Sequence, residues 1–576
     1  MTNQLMSRLR ILMVMALLAI VTVVAFACDG GGTAKVSNKP AAQQELTIRI
    51  ASDPTTLDPQ LAEVAEEISV VKQLFRGLFT YDQNLNVVPA VARELPTNEN
   101  GGISADGLTY TINLRNDATW SDGVPVTAND FVYAFQRLFD PDAGAAGYYY
   151  SFYTNIKGAA EAADGSGSVE DIGVTAVDDQ TLQIELVTEQ STLPTLLALW
   201  PAAPMRKDLI EKYGAAWTEP GKLVSDGPFV LATYTAQDKI VLEQNATYWG
   251  EDQPTLDSLI YRIIPDDNAA LLAYQSGEID VTSVASADFE RFQDNPEVMP
   301  LPQLETFAIF YNEVQGPFDD VLVRRAVSRA IDRDAYVATV QSGIGLAAVS
   351  WLPPGMPGAD ANVGADLGFD LASAQAMLAD AGYADGKGFP TVTFTIPSDP
   401  TNQATAEFVK QQLGDNLGIN VKIESLEEGA FFDRFFAGDF QMAWLSWFGD
   451  YADPENWLPE QFGSEGGFNV MGYDNPQVDD LLAQAAAEFD PAQRLALYKQ
   501  VHNIVVGDQA LTPIFNPQRN YLVKATVAGL VPTTLDAEPG DWFVSNVQIL
   551  AGDGQAPASL PDSESKNDED EEYQEN

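Results

Sequence analysis

From Thr391 to Leu426 the spacing of apolar residues changes period twice. TVTFTIPS alternates, QATAEFVKQQL reads as a helical stretch with Ala406, Val409 and Leu413 three and four apart, and INVKIESL alternates again. Alternation places apolar side chains on one face of a strand, and the longer period places them on one face of a helix. The order predicts strand, helix, strand, an α/β unit. The same two rhythms recur elsewhere. LTIRIAS predicts a strand through Leu46, Ile48 and Ile50, and LTYTINLR another through Leu108, Tyr110, Ile112 and Leu114. TANDFVYAFQRLF carries Phe131, Ala134, Phe135 and Leu138 at helical spacing. Thr127, with Asp130 three residues later, predicts an N-terminal capping box there. DDVLVRRAVSRAID predicts an amphipathic helix through Val321, Val323, Val327 and Ile331. No repeat of fixed period organises the chain. The pattern is that of an α/β protein with several lobes.

Both ends depart from this pattern. Arg8 and Arg10 precede an apolar run from Ile11 to Ala27, the layout of a secretory signal. The only cysteine, Cys28, follows directly and resembles the lipidated cysteine of bacterial lipoproteins, although Ala25 stands where leucine is usual. The alternative is an uncleaved signal anchor with an incidental cysteine. Residues 1–27 are therefore expected as a signal peptide and 28–45 as a flexible tether. Attached acyl chains would hold the protein at a membrane. At the other end, DSESKNDEDEEYQEN sets eight acids against Lys566 alone, so residues 551–576 are expected as a disordered acidic tail.

Composition narrows the function. A chain of 576 residues is too long for one ordinary core. A formal net charge of −52 repels nucleic acid, which is not an expected partner, and suits either solubility or cationic ligands. One cysteine excludes an intrachain disulfide and a cysteine zinc site. His502, in the predicted helix LALYKQVHNIVV, reads as a packed or surface residue, and no nucleophile motif accompanies it. No cofactor is expected, and carboxylate chemistry remains open among 83 acids.

MAWLSWFGDYADPENW then sets a problem. Asp450 stands where an apolar, aromatic run ends, and burying a carboxylate there is costly unless a partner meets it. Either Asp450 caps the turn at DYADP, with Asp453 and Pro454, or it holds a cationic group brought by a ligand.

A series of segments in fixed order now gains meaning. LDPQLAEVAEEISVVKQLFRGLF, ATWSDGVPVTANDFVYAFQRLFDP, SDGPFVLATY, ATYWG, YQSGEIDV, PFDDVLVRRAVSRAIDRD and WFGDYADPENWL together resemble the family 5 extracellular solute-binding proteins, the oligopeptide and dipeptide receptors of bacterial ABC importers. The likeness covers about Leu46 to Leu550. It implies a two-lobed, periplasmic-binding-protein-like (type II) α/β fold with an extra domain on the first lobe. By the resemblance, lobe I comprises 46–75, 203–304 and 518–550, the extra domain 76–202 and lobe II 305–517, with the hinge at two crossings near 304 and 518. It further implies a monomeric, membrane-anchored receptor, no enzyme, that binds short peptides and delivers them to ABC permease subunits.

By the same resemblance Asp450 receives the peptide's α-ammonium group. Ser446, Trp447, Phe448 and Gly449 pair with the peptide backbone from one side, and Glu63, Val64 and Ala65 from the other, a strand-addition mode. Trp447 and Tyr148, Tyr149 and Tyr150 are candidate pocket walls, although ordinary packing also accounts for the tyrosines. One departure concerns the ligand's far end. Trp444 stands where some such receptors carry a basic residue, and no Arg or Lys lies between Phe435 and Asp450. Two other readings compete. The same fold could carry an oligosaccharide, stacked on Trp444, Trp447 and Trp457, or a metal chelate, which one histidine disfavours. The chain could instead be a hydrolase with paired carboxylates.

Overall fold

The computed structural model describes residues 39–551 except 142, 144–147 and 537. The expected signal peptide, Cys28 and the acidic tail from 552 onward lie outside the described residues. Among the described residues no helix is long and apolar enough to cross a membrane.

Two large mixed sheets dominate. The first runs in the order Val298–Pro302, Gln518–Val523, Val281–Ser283, Glu45–Ile50, Ser258–Ile263, Lys239–Gln244, Phe229–Thr235. Glu45–Ile50 is parallel to both its neighbours, and its alternating residues Leu46, Ile48 and Ile50 are all buried. The second sheet runs Leu346–Ala347, Leu511–Asn516, Glu305–Tyr311, Met442–Phe448, Val392–Pro397, Val421–Leu426. Its last two strands are parallel and joined by the helix Pro400–Leu417, so the period change read from Thr391 onward is a strand–helix–strand unit. A smaller antiparallel sheet, Thr109–Asn113, Thr181–Glu185 and Val174–Asp178, carries the alternation of LTYTINLR. The helix Ala128–Leu138 begins with the Thr127–Asp130 capping box and buries Phe131, Ala134, Phe135 and Leu138.

The chain passes between the two large sheets twice. One passage is residues 303–304, between Val298–Pro302 and Glu305–Tyr311; the other is Pro517, between Leu511–Asn516 and Gln518–Val523. The two run side by side, because the Gln303 amide donates to the Pro517 carbonyl at 3.1 Å. Buried Asn516 adds bonds to the Glu305 carbonyl at 2.9 Å and to Thr306 Oγ1 at 2.7 Å. Such short, doubly connected crossings are where lobes rotate in hinged proteins.

Of the expected tether, residues 39–45 are described, and they pair with the end of the body. The Ala41 amide donates to the Ile549 carbonyl at 2.7 Å, and the Ala551 amide to the Lys39 carbonyl at 2.9 Å. Lys39 and Ala551, at the two ends of the described residues, therefore lie side by side.

Candidate functional site

The strand Met442–Phe448 is central in its sheet at one end and exposed on one edge at the other. Glu305–Tyr311 pairs with it along its whole length, from Tyr311 opposite Met442 to Glu305 opposite Phe448. On the other side Val392–Pro397 reaches it only at Met442 and Ala443. Past Ala443 that edge has no neighbouring strand among the described residues. The Gly449 amide donates to the Leu304 carbonyl at 2.8 Å. Antiparallel pairing alternates direction, so Trp447 and Leu445 also face Glu305–Tyr311, and the main-chain groups of Ser446 and Phe448 face the open edge. Glu305 sits opposite this end. Burial raises its pKa, and the Ser446 hydroxyl bonded to it works the other way.

Gly449 turns the strand into the loop that carries Asp450. A Cβ at 449 would come within 2.7 Å of Leu304 Cδ2 and 3.1 Å of Trp457 Nε1, so a larger residue there would have to displace the buried Leu304 side chain. Asp450 is half-buried. Its amide donates to Asn456 Oδ1 at 3.0 Å, and Asn456 Nδ2 donates back to Asp450 Oδ2 at 3.1 Å. Capping of the turn belongs to Asp453, whose Oδ1 accepts the Glu455 amide at 3.0 Å and whose carboxylate is gripped by Arg494 at 2.8 and 2.5 Å. Asp450 therefore faces a cavity of about 320 Å³ that Asn456 helps to line.

Two parts of the chain wall this cavity. Trp447, Tyr451, Glu455, Glu460 and Phe468 come from the strand and the loops after it, and Ser151, Phe152, Asn155 and Gln190 from the region of the small sheet. Trp447 meets Phe468 edge-on at 4.8 Å, and Phe152 meets Tyr451 edge-on at 5.7 Å. Burial raises the Glu455 carboxyl to about 7, although the Tyr451 hydroxyl donates to its Oε2.

The site residues expected from sequence are thus distributed as follows. Trp447 and Asp450 share the cavity, with Ser446, Phe448 and Gly449 on the same strand and turn. Phe448 is exposed. Glu63, Val64 and Ala65 do not line this cavity. Val64 is the N-cap of the helix Ala65–Leu74, so Ala65 is helical rather than extended. The amides of Glu63 and Val64 donate to Glu67 Oε2 at 3.0 and 3.4 Å, which commits them within the chain. A chain of contacts connects this segment to the cavity: Trp200 Nε1 donates to the Ala62 carbonyl at 3.0 Å, its ring packs on Tyr149, and Tyr149 packs on Phe152. Tyr150 packs on Phe139 instead; nothing is described of the Tyr148 side chain. Trp444 is buried against Phe307 and Phe515 and lines a different cavity beside Glu305 and Gln518. Trp457 is core, edge-on to Trp351 at 5.2 Å. Three tryptophans therefore do not form one stacking platform. His502 is fully buried, its Nε2 accepts the Trp351 and Leu352 amides at 3.2 Å, and burial lowers its pKa to about 3, so it is a neutral packing residue. Among the described residues no group of three or more His, Cys, Asp or Glu side chains is placed to hold a metal ion.

Sequence reading missed Asn456, Glu455, Glu460, Phe468 and Phe152. The first three lie in the same DYADPENWLPE segment as Asp450, and Phe152 lies two residues past the flagged tyrosines.

Comparison with known proteins is consistent with this geometry. The profile of the bacterial extracellular solute-binding proteins, family 5 (middle), matches residues 86–469. The periplasmic oligopeptide-binding protein OppA of Escherichia coli is 32% identical over 85% of this chain and 90% of its own length. The unliganded open form of the periplasmic murein tripeptide binding protein MppA superposes with a TM-score of 0.81 at 30% identity, covering 90% of this chain and 99% of that one. A second structure of MppA from Escherichia coli, also 30% identical and covering 89% and 99%, gives 0.64. The chain thus overlays far better on the open arrangement of the same relative.

Proposed function

The chain belongs to the family 5 bacterial extracellular solute-binding proteins, and on that premise we propose that it is an extracytoplasmic receptor for short peptides, held at the membrane through lipidated Cys28 and serving an ABC importer. Membership makes it a solute-binding receptor rather than an enzyme. The observation that carries the peptide reading is the open edge of Ser446–Phe448 ending at Asp450. An extended peptide adds as a strand to such an edge, with main-chain bonds that ignore its side chains. Its α-ammonium group, charged at neutral pH, then falls at Asp450, where a charge-assisted bond forms in a site that closure dries. The name of the relative OppA, an oligopeptide-binding protein, supports this ligand class.

In this reading lobe I is 46–75, 203–304 and 518–550, the extra domain 76–202 and lobe II 305–517. The passages at 303–304 and 517 act as the hinge, and the Glu63–Ala65 segment approaches the peptide as the lobes close. The amides of Glu63 and Val64 are committed to Glu67 and the Val64 carbonyl to the Glu67 and Ile68 amides, so this segment contributes side chains.

Mass spectrometry of what leaves the purified intact protein on denaturation tests the reading. A mixture of short peptides with free N-termini is the expected result. A single non-peptide species would keep the fold and replace the ligand.

A further inference from the structure

The extra domain is tied to lobe I, for example by the buried Arg137–Asp58 pair, and it also touches lobe II. The Ser191 amide donates to the Ala486 carbonyl at 3.2 Å, and the Ser191 hydroxyl to the Ala485 carbonyl at 3.4 Å. Both acceptors lie in the last turn of the helix Pro476–Ala486. Just beyond it, Phe489 lies against Gly107, where a Cβ would stand 3.0 Å from the Phe489 Cζ. Phe152 meets Tyr451 edge-on at 5.7 Å. At and beside these contacts Thr192, Leu193, Tyr451 and Ala485 are buried. Leu193, Tyr451 and Ala485 belong to one apolar core that runs from the extra domain into lobe II, whereas the face of lobe II under the helix Pro400–Leu417 has a core of its own. All of this exists in an arrangement that overlays on an unliganded open form.

We propose that the contact of Ser191 with Ala486 is a second bearing for closure. As the lobes close on a peptide, lobe II turns about an axis through the passages at 303–304 and 517 and through this contact, which is kept. The inference rests on the peptide reading, since closure onto a peptide is what it describes. Parting the contact would uncover buried apolar surface, and turning about it does not. Both points are joined to the cavity beside Asp450. The Gly449 amide meets the Leu304 carbonyl at 2.8 Å at the first, and Gln190, the neighbour of Ser191, lines the cavity at the second. The cavity thus lies between the two points, where a rotation displaces atoms least. The open edge from Phe448 back to Leu445 leads away from Gly449. The corner at Asp450 is therefore built before the ligand arrives, and closure covers the ligand's far end.

The test is a disulfide across the contact. A main-chain bond sets two residues at roughly the 4–7 Å between Cα atoms that a disulfide spans. Ser191→Cys/Ala486→Cys is made in the full chain carrying Cys28→Ser, so that the two new thiols are the only ones, and is oxidised without ligand. Random peptides of three to six residues (lengths chosen to bracket a short ligand) are the probe. Mass spectrometry reads the amount retained, and small-angle scattering the radius of gyration. The bond is expected to form, and oxidised and reduced protein to retain peptide within about twofold of each other and to contract alike. Failure of the bond to form overturns the inference, because the segments then do not meet in the open protein. An approximately tenfold loss of retention on oxidation that reduction restores, or retention without contraction, also overturns it, because the contact then has to part. Phe489→Ala separates the same cases by sign. A contact made only in the open state holds the lobes apart, so loosening it would tighten binding by about fivefold or more, which overturns the inference. A contact kept in both states leaves retention within about twofold. In each of these outcomes the peptide receptor stands. Retention of no peptide by the wild type overturns both readings.

Discussion

Asn456 holds Asp450 from both ends: its Oδ1 accepts the Asp450 amide at 3.0 Å, and its Nδ2 donates to Asp450 Oδ2 at 3.1 Å. This small ring fixes where the carboxylate points. An amide partner orients an anion without itself carrying a counter-charge. The rest of the turn is capped by Asp453, which frees Asp450 from that structural duty.

Asp450→Asn is therefore expected to weaken peptide binding by about 2–5 kcal/mol, the cost of leaving a charged partner unmatched in a closed site. Acetylating the peptide's N-terminus should do the same from the ligand side. The melting temperature should stay near that of the wild type. Calorimetry with both peptide forms reads the effect, and unchanged affinity in both would make Asp450 a structural acid.

Three residues on, the opposite behaviour is expected. The side chains of Asp453 and Arg494 are 5% and 11% exposed and form a bidentate pair. Removing one partner strands a buried charge, so Asp453→Asn should cost about 3–5 kcal/mol of stability. Arg494→Met should cost a similar amount, and the double variant less than the sum, because the two act as one unit. Urea unfolding of the three variants measures this. Additive losses would show that the pair contributes nothing as a pair.

How far the site was legible follows from what is local. The continuous apolar, aromatic run MAWLSWF marked the strand Met442–Phe448, and the acid at its end announced itself because carboxylates do not end apolar runs without cause. The unpaired edge was not legible, because it depends on how far a distant strand, Val392–Pro397, happens to reach. Phe152 was hidden for a related reason. It projects from the short three-residues-per-turn helix Tyr148–Tyr153, and nothing in YYYSFY says which ring points across to Tyr451. The segment at Glu63 was legible only in part. The resemblance suggested an extended, pairing stretch. Glu67 sits three residues after Val64, the spacing of a capping box, but a valine at the cap position conceals the signature.

Peptide should close the molecule. The chain overlays on the unliganded open form of MppA at a TM-score of 0.81, against 0.64 for another structure of that relative. A ligand that touches both lobes favours the closed state by the contacts only that state makes. Small-angle scattering should show the radius of gyration falling as peptide is added. Asp450→Asn should need more peptide for the same contraction. A radius unchanged at saturation would mean that the passages at 303–304 and 517 do not work as a hinge.

Asp226 should tilt stability against pH. It is fully buried in SDGPF, where its Oδ1 accepts the Arg76 amide at 3.1 Å and its Oδ2 has no hydrogen-bond partner among the described residues. Burial raises its pKa to about 8, against the opposing pull of Arg76. The folded chain thus keeps this proton up to about pH 8, whereas the unfolded chain gives it up near pH ~4. Between those limits the folded state binds the extra proton, so stability falls as pH rises, by at most about 1.4 kcal/mol per pH unit for one group. Below about pH 4 and above about 8 the contribution is flat. Asp226→Asn removes this titration while keeping the shape. Other acids contribute slopes of their own, and subtraction cancels them. The difference in urea midpoint, variant minus wild type, should therefore grow in the variant's favour between pH 5 and pH 8 (a range of roughly three units inside the window). A difference constant over that range would mean that Asp226 is already ionised in the folded protein, with Arg76 as its working counter-ion.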